Sequence, residues 1–222
     1  MIASVIKPNH PAKYTDSFIP VFAKMLKGRK NVYDPMAGTG KIGKIRDYGF
    51  KGSIFCGEIE PEWTNAFEGV DQWFIGDSSK TSFLKDCFFD AVCTSPTYGN
   101  RMADHFNSKD GSKRVTYRHY LGRELHKNNT GRMQWGSKYK KTHMEIYTEC
   151  IRVLNPKGIF VLNMSDHIRA GKQVRVTDWH RKTLTDLGLV ELYNQKIRTN
   201  RMGFGSNSKL RVDCEHLIVF MK

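Results

Sequence analysis

The sequence lacks the cysteine arrangement that a disulfide framework or a structural zinc site requires. The number of cysteines is odd, they are scattered along the chain, and no two have Cys-x-x-Cys spacing. This usage is typical of proteins in a reducing compartment. We therefore expect no disulfide, no bound metal and a cytoplasmic location. The five cysteines are Cys56, Cys87, Cys93, Cys150 and Cys214.

Long hydrophobic runs are also missing. No stretch approaches the roughly 18 consecutive apolar residues that indicate a membrane-spanning helix, and the amino terminus has no apolar h-region of a signal peptide. No internal repeat or low-complexity tract interrupts the 222 residues, a length that fits one well-packed core. We expect residues 1–222 to form a single domain without a membrane partner.

Acidic residues are scarce. The chain has 36 Lys and Arg against 22 Asp and Glu, a formal net charge of +14. Charge alone allows a generically basic protein as well as a nucleic-acid partner. Two segments hold most of the excess: 101–142, with eleven basic and three acidic residues, and 195–211, with five basic residues and no acid. This asymmetry favours a polyanionic partner that binds inserted segments rather than the whole surface.

The hydrophobic pattern alternates between the strand period and the helix period. This alternation predicts an α/β fold with a mostly parallel sheet, helices on both faces and a C-terminal antiparallel strand pair. The long polar interval at about 100–142 is predicted to be a basic insertion. The predicted strands are 31–35, 53–57, 73–77, 88–93, 159–164, 189–197 and 214–222, and the predicted helices are 15–27, 41–48, 61–68, 143–154 and 177–187.

A glycine turn, DPMAGTGKIG at 34–43, follows the first predicted strand. Its Gly-x-Gly-x-x-Gly spacing lets the backbone approach a ligand at a helix N-terminus. Glu58 ends the second strand, where a carboxylate can accept hydrogen bonds from ribose hydroxyls. A phosphate-binding P-loop is not supported, because Lys41 is followed by Ile42 rather than Ser or Thr. A dinucleotide, a nucleoside-type cofactor and an ordinary strand–helix turn all stay open.

The stretch TSPTYGN, 94–100, follows the fourth predicted strand. A plain turn needs no aromatic residue, whereas a site that holds a flat ring and its amino group does. The Ser95 hydroxyl and the Pro96 carbonyl can accept hydrogen bonds from an amine, and Tyr98 can stack on the ring. The motif therefore predicts a binding site for a planar, amino-bearing substrate.

Taken in order, the motifs resemble those of S-adenosylmethionine-dependent DNA amino-methyltransferases, the N4-cytosine and N6-adenine enzymes. The resemblance spans nearly the whole chain except 100–142. The matching stretches are HPAKY (10–14), DPMAGTG (34–40), FCGEIEP (55–61), IGDS (75–78), TSPTYGN (94–100) and EHLIVFMK (215–222).

The resemblance implies a Rossmann-like methyltransferase sheet with S-adenosyl-L-methionine as the cofactor. It places the glycine turn around the methionine moiety, Glu58 on the ribose, Ile59 on the adenine ring and Asp77 on the adenine amino group. The implied cofactor-binding residues are His10, Lys13, Tyr14, Asp34, Pro35, Gly38, Gly40, Glu58, Ile59 and Asp77.

The resemblance also implies that Ser95, Pro96 and Tyr98 are catalytic, and that Tyr98, Asn100 and Arg101 contact a base flipped out of DNA. It assigns target recognition to the basic insertion. A serine at the first position of the motif slightly favours cytosine N4 over adenine N6. Thr97 departs from the family pattern, which usually has a second proline at this position. Without that proline the loop has one fewer fixed φ angle.

Several alternatives stay open at this stage. They are an RNA base methyltransferase on the same scaffold, an NAD-dependent oxidoreductase and a non-catalytic DNA-binding relative. Methylation of the cytosine ring carbon is not expected, because the chain has no Pro-Cys dipeptide to supply the nucleophile. The family further suggests a bacterial or phage-infected cell, with a role in restriction-modification, phage protection or regulation. The sequence does not indicate an oligomeric state.

Overall fold

The structure is a computed structural model that describes residues 16–99, 117–199, 210 and 212–222. The α-helices are α1 (Phe18–Met25), α2 (Pro61–Thr64), α3 (Tyr117–Leu121), α4 (Ser137–Val153) and α5 (Val176–Asp186), and two 3₁₀ helices cover Lys41–Tyr48 and Thr130–Arg132. The strands are β1 (Asn31–Asp34), β2 (Ser53–Glu58), β3 (Gln72–Ile75), β4 (Phe89–Thr94), β5 (Leu154–Met164), β6 (His167–Arg169), β7 (Lys172–Val174), β8 (Val190–Arg198) and β9 (Cys214–Met221).

Seven strands form one sheet in the order β3-β2-β1-β4-β5-β9-β8. β1 to β5 pair in parallel, while β9 runs antiparallel to both β5 and β8. The predicted α/β class, the mostly parallel sheet and the C-terminal antiparallel pair are therefore confirmed. β2 and β3 lie on one side of β1, and β4, β5, β9 and β8 lie on its other side. The switch point between β1 and β4 is where such sheets place their ligands, beyond the carboxyl ends of the strands.

Two hydrophobic cores lie on opposite faces of the sheet, because successive strand residues point to opposite sides. On one face α1 and the first 3₁₀ helix cover β1, where Val32 is fully buried. On the other face α4 and α5 cover Tyr33, whose ring stacks on Phe89 with a centroid distance of 4.9 Å. This arrangement confirms helices on both faces. None of the helices within the described ranges is long and apolar enough to cross a bilayer.

Tertiary contacts shorten one predicted helix. The segment 61–68 is helical only over Pro61–Thr64, because the chain then turns back onto the glycine turn. A Cβ atom on Gly40 would lie 2.5 Å from the Phe67 ring, and one on Gly43 would lie 1.9 Å from the Glu68 carbonyl oxygen. Phe67 and Glu68 therefore pack closely on the two glycines, and the helix does not continue through them.

Other boundaries also differ from the prediction. Residues 41–48 form a 3₁₀ helix rather than an α-helix, and strand β5 begins at Leu154, before the predicted strand 159–164. Helix α4 begins at Ser137, so residues 137–142 of the predicted insertion belong to a scaffold helix. The β6–β7 hairpin was not predicted from the sequence.

Candidate active site

The glycine turn leaves β1 at the switch point. Gly38 and Gly40 both have positive φ angles, 56° and 67°, which glycine adopts without strain. Asp34 is fully buried at the end of β1, and its Oδ1 atom accepts a hydrogen bond of 3.1 Å from the Met36 amide. The Pro35 carbonyl accepts a hydrogen bond of 2.5 Å from the Ser78 hydroxyl, which ties the turn to the end of β3.

Glu58 lies beside this turn at the end of β2. Its carboxylate accepts hydrogen bonds of 2.8 Å from three backbone amides, those of Gly38, Ile59 and Glu60. Burial raises the pKa of Glu58 to about 8, although these three hydrogen bonds favour the charged form and act in the opposite direction. The structure thus places a buried acceptor against the glycine turn, where the sequence predicted a ribose-binding carboxylate.

Asp77 follows β3 at the same edge of the sheet. Its Oδ1 atom accepts hydrogen bonds from the Ser79 amide at 3.0 Å and from the Ser79 hydroxyl at 2.7 Å. Its Oδ2 atom accepts a hydrogen bond of 2.8 Å from the side-chain amide of Asn128. Partial burial acts to raise the pKa of Asp77, but the hydrogen bonds from Ser79 and Asn128 outweigh it, and the pKa is lowered. This carboxylate is therefore held in its charged form.

The second motif leaves β4, the neighbour of β1 in the sheet. The Ser95 and Tyr98 hydroxyl oxygens are 3.4 Å apart, and the Tyr98 hydroxyl donates a hydrogen bond of 3.3 Å to Oε2 of Glu215. Pro96 is buried, whereas Ser95 and Tyr98 are partly exposed. Tyr33 pairs with Val92, so β1 and β4 end beside each other and the two motifs leave the sheet at one edge. The acceptors and the ring therefore share the switch point with the glycine turn.

Sequence reasoning missed the role of residues 123–136, which we call the strap. The strap contacts Glu60, a fully buried residue that follows β2. Oε1 of Glu60 accepts hydrogen bonds from the His126 amide at 2.7 Å and the Asn129 side chain at 2.9 Å, and Oε2 lies 2.8 Å from the Arg123 guanidinium. These contacts hold the strap against the carboxyl ends of β2 and β3.

The other end of the strap reaches the TSPTYGN loop. The Trp135 amide donates a hydrogen bond of 2.9 Å to the Gly99 carbonyl, and the Thr97 hydroxyl donates one of 2.9 Å to the Thr130 hydroxyl. The strap therefore connects the candidate cofactor side with the candidate target side. The only local sequence signal is the Asn128-Asn129 pair, since the Asn129 side chain caps the 3₁₀ helix Thr130–Arg132.

Five of the predicted site residues lie outside the described residues: His10, Lys13, Tyr14, Asn100 and Arg101. The remaining ones lie at or beside the switch-point edge of the sheet, and their individual roles stay predictions. Among the described parts of the chain, no group of three or more His, Cys, Asp and Glu side chains could hold a metal ion.

A cavity of about 820 Å³ lies at the opposite edge, where β1 and β2 begin. Five basic side chains line it, and no acidic one does. It is separate from the predicted site, and it shows that the scaffold also carries a local positive patch. The five are Lys24, Lys27, Arg29, Lys30 and Lys51.

Comparison with protein-family models and with curated proteins found no match to this chain. Solved structures do match over nearly its whole length. A SAM-dependent methyltransferase from Methanosarcina mazei aligns with a TM-score of 0.58 and 14% identity, covering 91% of this chain and 97% of its own. The N-methyltransferase NodS from Bradyrhizobium japonicum WM9, in complex with S-adenosyl-L-homocysteine, aligns with a TM-score of 0.54 and 10% identity, covering 93% and 84%.

The [4+2]-cyclase SpnF aligns with a TM-score of 0.61 and 12% identity, covering 96% of this chain and 84% of its own. At such identities the likeness is one of fold. It confirms the predicted Rossmann-like methyltransferase fold. A cyclase among the similar structures also means that the reaction has to be argued from the site itself.

Proposed function

We propose that this chain is an S-adenosyl-L-methionine-dependent methyltransferase that methylates the exocyclic amine of a base flipped out of DNA. The observation that carries the proposal is the shared edge of β1 and β4, from which the glycine turn and the Ser95–Tyr98 loop both emerge. Similar structures named as SAM-dependent methyltransferases, one of them with S-adenosyl-L-homocysteine, support the choice of cofactor.

The residues at this edge fit such a cofactor. The buried Glu58 carboxylate beside the Gly38 amide suits a pair of ribose hydroxyls, and the charged Asp77 carboxylate suits an adenine amino group. Gly38 and Gly40 have no side chain and adopt positive φ, so the backbone of the turn can approach a methionine moiety closely. When bound, the cofactor supplies an activated methyl group on a sulfonium, so alignment with the acceptor nitrogen provides much of the acceleration.

The loop after β4 suits the acceptor. The lone pair of an exocyclic amine is delocalised into the ring, and acceptors for its two hydrogens favour a more nucleophilic nitrogen. The Ser95 hydroxyl and the Pro96 carbonyl provide such acceptors. Stacking on Tyr98 holds the flipped base and is typically worth about 1–3 kcal/mol. Serine in the first position favours cytosine N4 over adenine N6, by the resemblance given above.

DNA is the proposed substrate because of the charge distribution. The net charge of +14 suits a polyanion, and the basic segment 101–142 begins directly after the TSPTYGN loop. Part of that segment is not free for DNA, because the strap within it packs on Glu60 and Asp77. Target recognition is therefore proposed for the remainder of the interval, before the strap.

Radiolabelled S-adenosyl-L-methionine, incubated with the protein and mixed-sequence DNA or RNA, tests the proposal. We expect label in DNA, and mass spectrometry of its nucleosides should identify N4-methylcytosine or N6-methyladenine. Label in RNA alone would show that the substrate is RNA rather than DNA. Tyr98→Ala should abolish most transfer, whereas Tyr48→Ala, which removes an exposed tyrosine at the opposite edge of the sheet, should not. Equal activity of both variants would contradict the proposed site.

A further inference from the structure

The TSPTYGN loop lacks a conformational constraint that related enzymes have. Where the family usually places a second proline, this chain has Thr97. Proline would hold φ near −65° and so limit the directions in which the next residue, Tyr98, can point. A threonine leaves that angle free unless other contacts restrain it.

The Thr97 side chain has such a contact. Its hydroxyl donates a hydrogen bond of 2.9 Å to the hydroxyl of Thr130. Thr130 is buried in the strap, where the preceding Asn129 caps its 3₁₀ helix by accepting a hydrogen bond of 2.8 Å from the Gly131 amide. The hydroxyl of Thr97, a group that proline lacks, thus joins the loop to the capped turn of the strap.

The Thr97 backbone carbonyl has a second contact, from α4. It accepts a hydrogen bond from the hydroxyl of Tyr139, a side chain with no solvent exposure. The same hydroxyl lies 2.9 Å from Nε2 of His180, and Nδ1 of His180 lies 2.7 Å from the hydroxyl of Tyr147. A chain of three buried side chains therefore supports one peptide group of the loop.

The directions of these hydrogen bonds follow from the chemistry of the groups. A carbonyl only accepts, so the single proton of the Tyr139 hydroxyl goes to Thr97. His180 must then donate from Nε2, which leaves Nδ1 to accept from Tyr147. The imidazole is neutral in this arrangement, and burial lowers the pKa of His180 well below its ordinary value. The chain of donors keeps one direction as long as His180 stays neutral.

On the other side of Tyr98, the Gly99 carbonyl accepts its hydrogen bond from the Trp135 amide at 2.9 Å. Gly99 has a φ of 67°, and a Cβ atom there would lie 3.2 Å from the Trp135 amide nitrogen. The residues on both sides of the proposed base-stacking ring are therefore fixed by neighbours that come from the strap and from α4.

We propose that Tyr139, Thr130 and His180 are positioning residues that replace the missing proline and hold the Tyr98 ring in its base-stacking orientation. Tyr139 acts directly on the loop, and His180 acts through Tyr139. The inference rests on the proposed function, because it assigns these residues to the target side of the same site. None of them touches the reacting atoms.

Tyr139→Phe is the central test, because it removes one hydroxyl and keeps the ring. We expect kcat for methyl transfer to fall by roughly five- to tenfold, the size of one lost hydrogen bond, with a KM for S-adenosyl-L-methionine that stays within about twofold of wild type. Tyr193→Phe is the control, since it also removes one hydroxyl and keeps the ring, but this hydroxyl donates to Gln195 on β8, at the far edge of the sheet. It should leave kcat near wild type, and the melting temperatures of the two variants show that both are folded.

Rescue separates positioning from general stability. Adding Thr97→Pro to Tyr139→Phe should recover most of the lost kcat, because the ring of proline restores the restraint on φ. A double variant that is no faster than Tyr139→Phe, or a Tyr193→Phe variant that is as slow as Tyr139→Phe, would overturn the inference.

Hydrogen–deuterium exchange of the peptide covering 93–99 gives a second readout that needs neither cofactor nor DNA. Tyr139→Phe should raise exchange in this peptide at least fivefold, and Tyr193→Phe should not. Unchanged exchange in Tyr139→Phe refutes the positioning role even if the wild-type protein methylates DNA. Increased exchange in Tyr139→Phe, together with a wild-type protein that methylates no nucleic acid, would instead refute the proposed function and leave the restraint on the loop established.

Discussion

The side-chain amide of Asn128 donates a hydrogen bond of 2.8 Å to Asp77, 51 residues earlier in the chain. Asp77 follows β3 of the sheet, whereas Asn128 belongs to the basic segment for which the resemblance implied DNA recognition. One amide therefore connects the strap to the carboxylate proposed to bind the adenine amino group. This contact and the contact of the strap with Glu60 place the strap beside the candidate cofactor site.

Asn128→Ala should weaken the binding of S-adenosyl-L-homocysteine several-fold, because Asp77 loses a donor that orients its carboxylate. Isothermal titration calorimetry measures this directly. Asn194→Ala is a suitable control, since Asn194 lies on β8 at the far edge of the sheet and contacts His216 there. Equal affinity of the Asn128 variant and the wild-type protein would show that the strap does not contribute to cofactor binding.

Glu58 should make folding stability dependent on pH. Its pKa is raised from the ordinary 4.5 to about 8 by burial, so the folded protein holds a proton that the unfolded chain releases between these values. The contribution to stability is complete below about pH 4.5 and is lost as the pH rises through about 8. Urea unfolding at several pH values should show this decline for wild type and a flatter profile for Glu58→Gln. Parallel profiles for the two proteins would show that Glu58 does not cause the pH dependence of stability.

The same carboxyl should couple cofactor binding to proton release. Ribose hydroxyls donate to the charged form of Glu58, so S-adenosyl-L-homocysteine should bind more tightly as the pH rises from 6 toward 8. Calorimetry in two buffers with different ionisation enthalpies should detect the released proton. In Glu58→Gln both the pH dependence and the proton release should disappear, and a persistent release would point to another group.

Gly40→Ala should cost more stability than Gly49→Ala. Both positions have positive φ, 67° and 86°, so each substitution brings backbone strain of about 1–2 kcal/mol. Only at position 40 does the new Cβ atom meet a neighbour, the Phe67 ring at 2.5 Å, while around Gly49 nothing lies within 4 Å. Urea unfolding should resolve the difference, and only Gly40→Ala should also reduce cofactor affinity. Similar losses in both variants would mean that the packing on Phe67 is unimportant.

Tyr98→Phe should separate stacking from hydrogen bonding in the target loop. Phenylalanine keeps the ring face but loses the hydroxyl that donates to Glu215 at 3.3 Å. We expect kcat/KM for DNA to fall less than about tenfold, compared with roughly 5- to 150-fold for Tyr98→Ala, the range that corresponds to one lost stacking contact. If the two substitutions have equal effects, the hydroxyl rather than the ring carries the role of Tyr98.

Local patterns were sufficient for much of the scaffold. The strand that ends at Asp34 and the strand that ends at Thr94 were predicted within a few residues, because buried strands have short apolar runs that turn residues terminate. The same patterns were less accurate where packing overrides propensity. The helix after Pro61 ends early because its continuation packs on Gly40, and α4 starts early because Tyr139 and His143 are buried in a polar stretch.

The sequence by itself determined the α/β class and the position of both motifs at strand ends, because apolar periodicity and turn chemistry act over a few neighbouring residues. Only the tertiary structure decided which side chains support those motifs. Thr97 depends on Thr130 and Tyr139, and Asp77 depends on Asn128, across separations of 33 to 51 residues. Hydrogen bonds over such distances follow from how strands and helices pack in space, and no local pattern of residues encodes them.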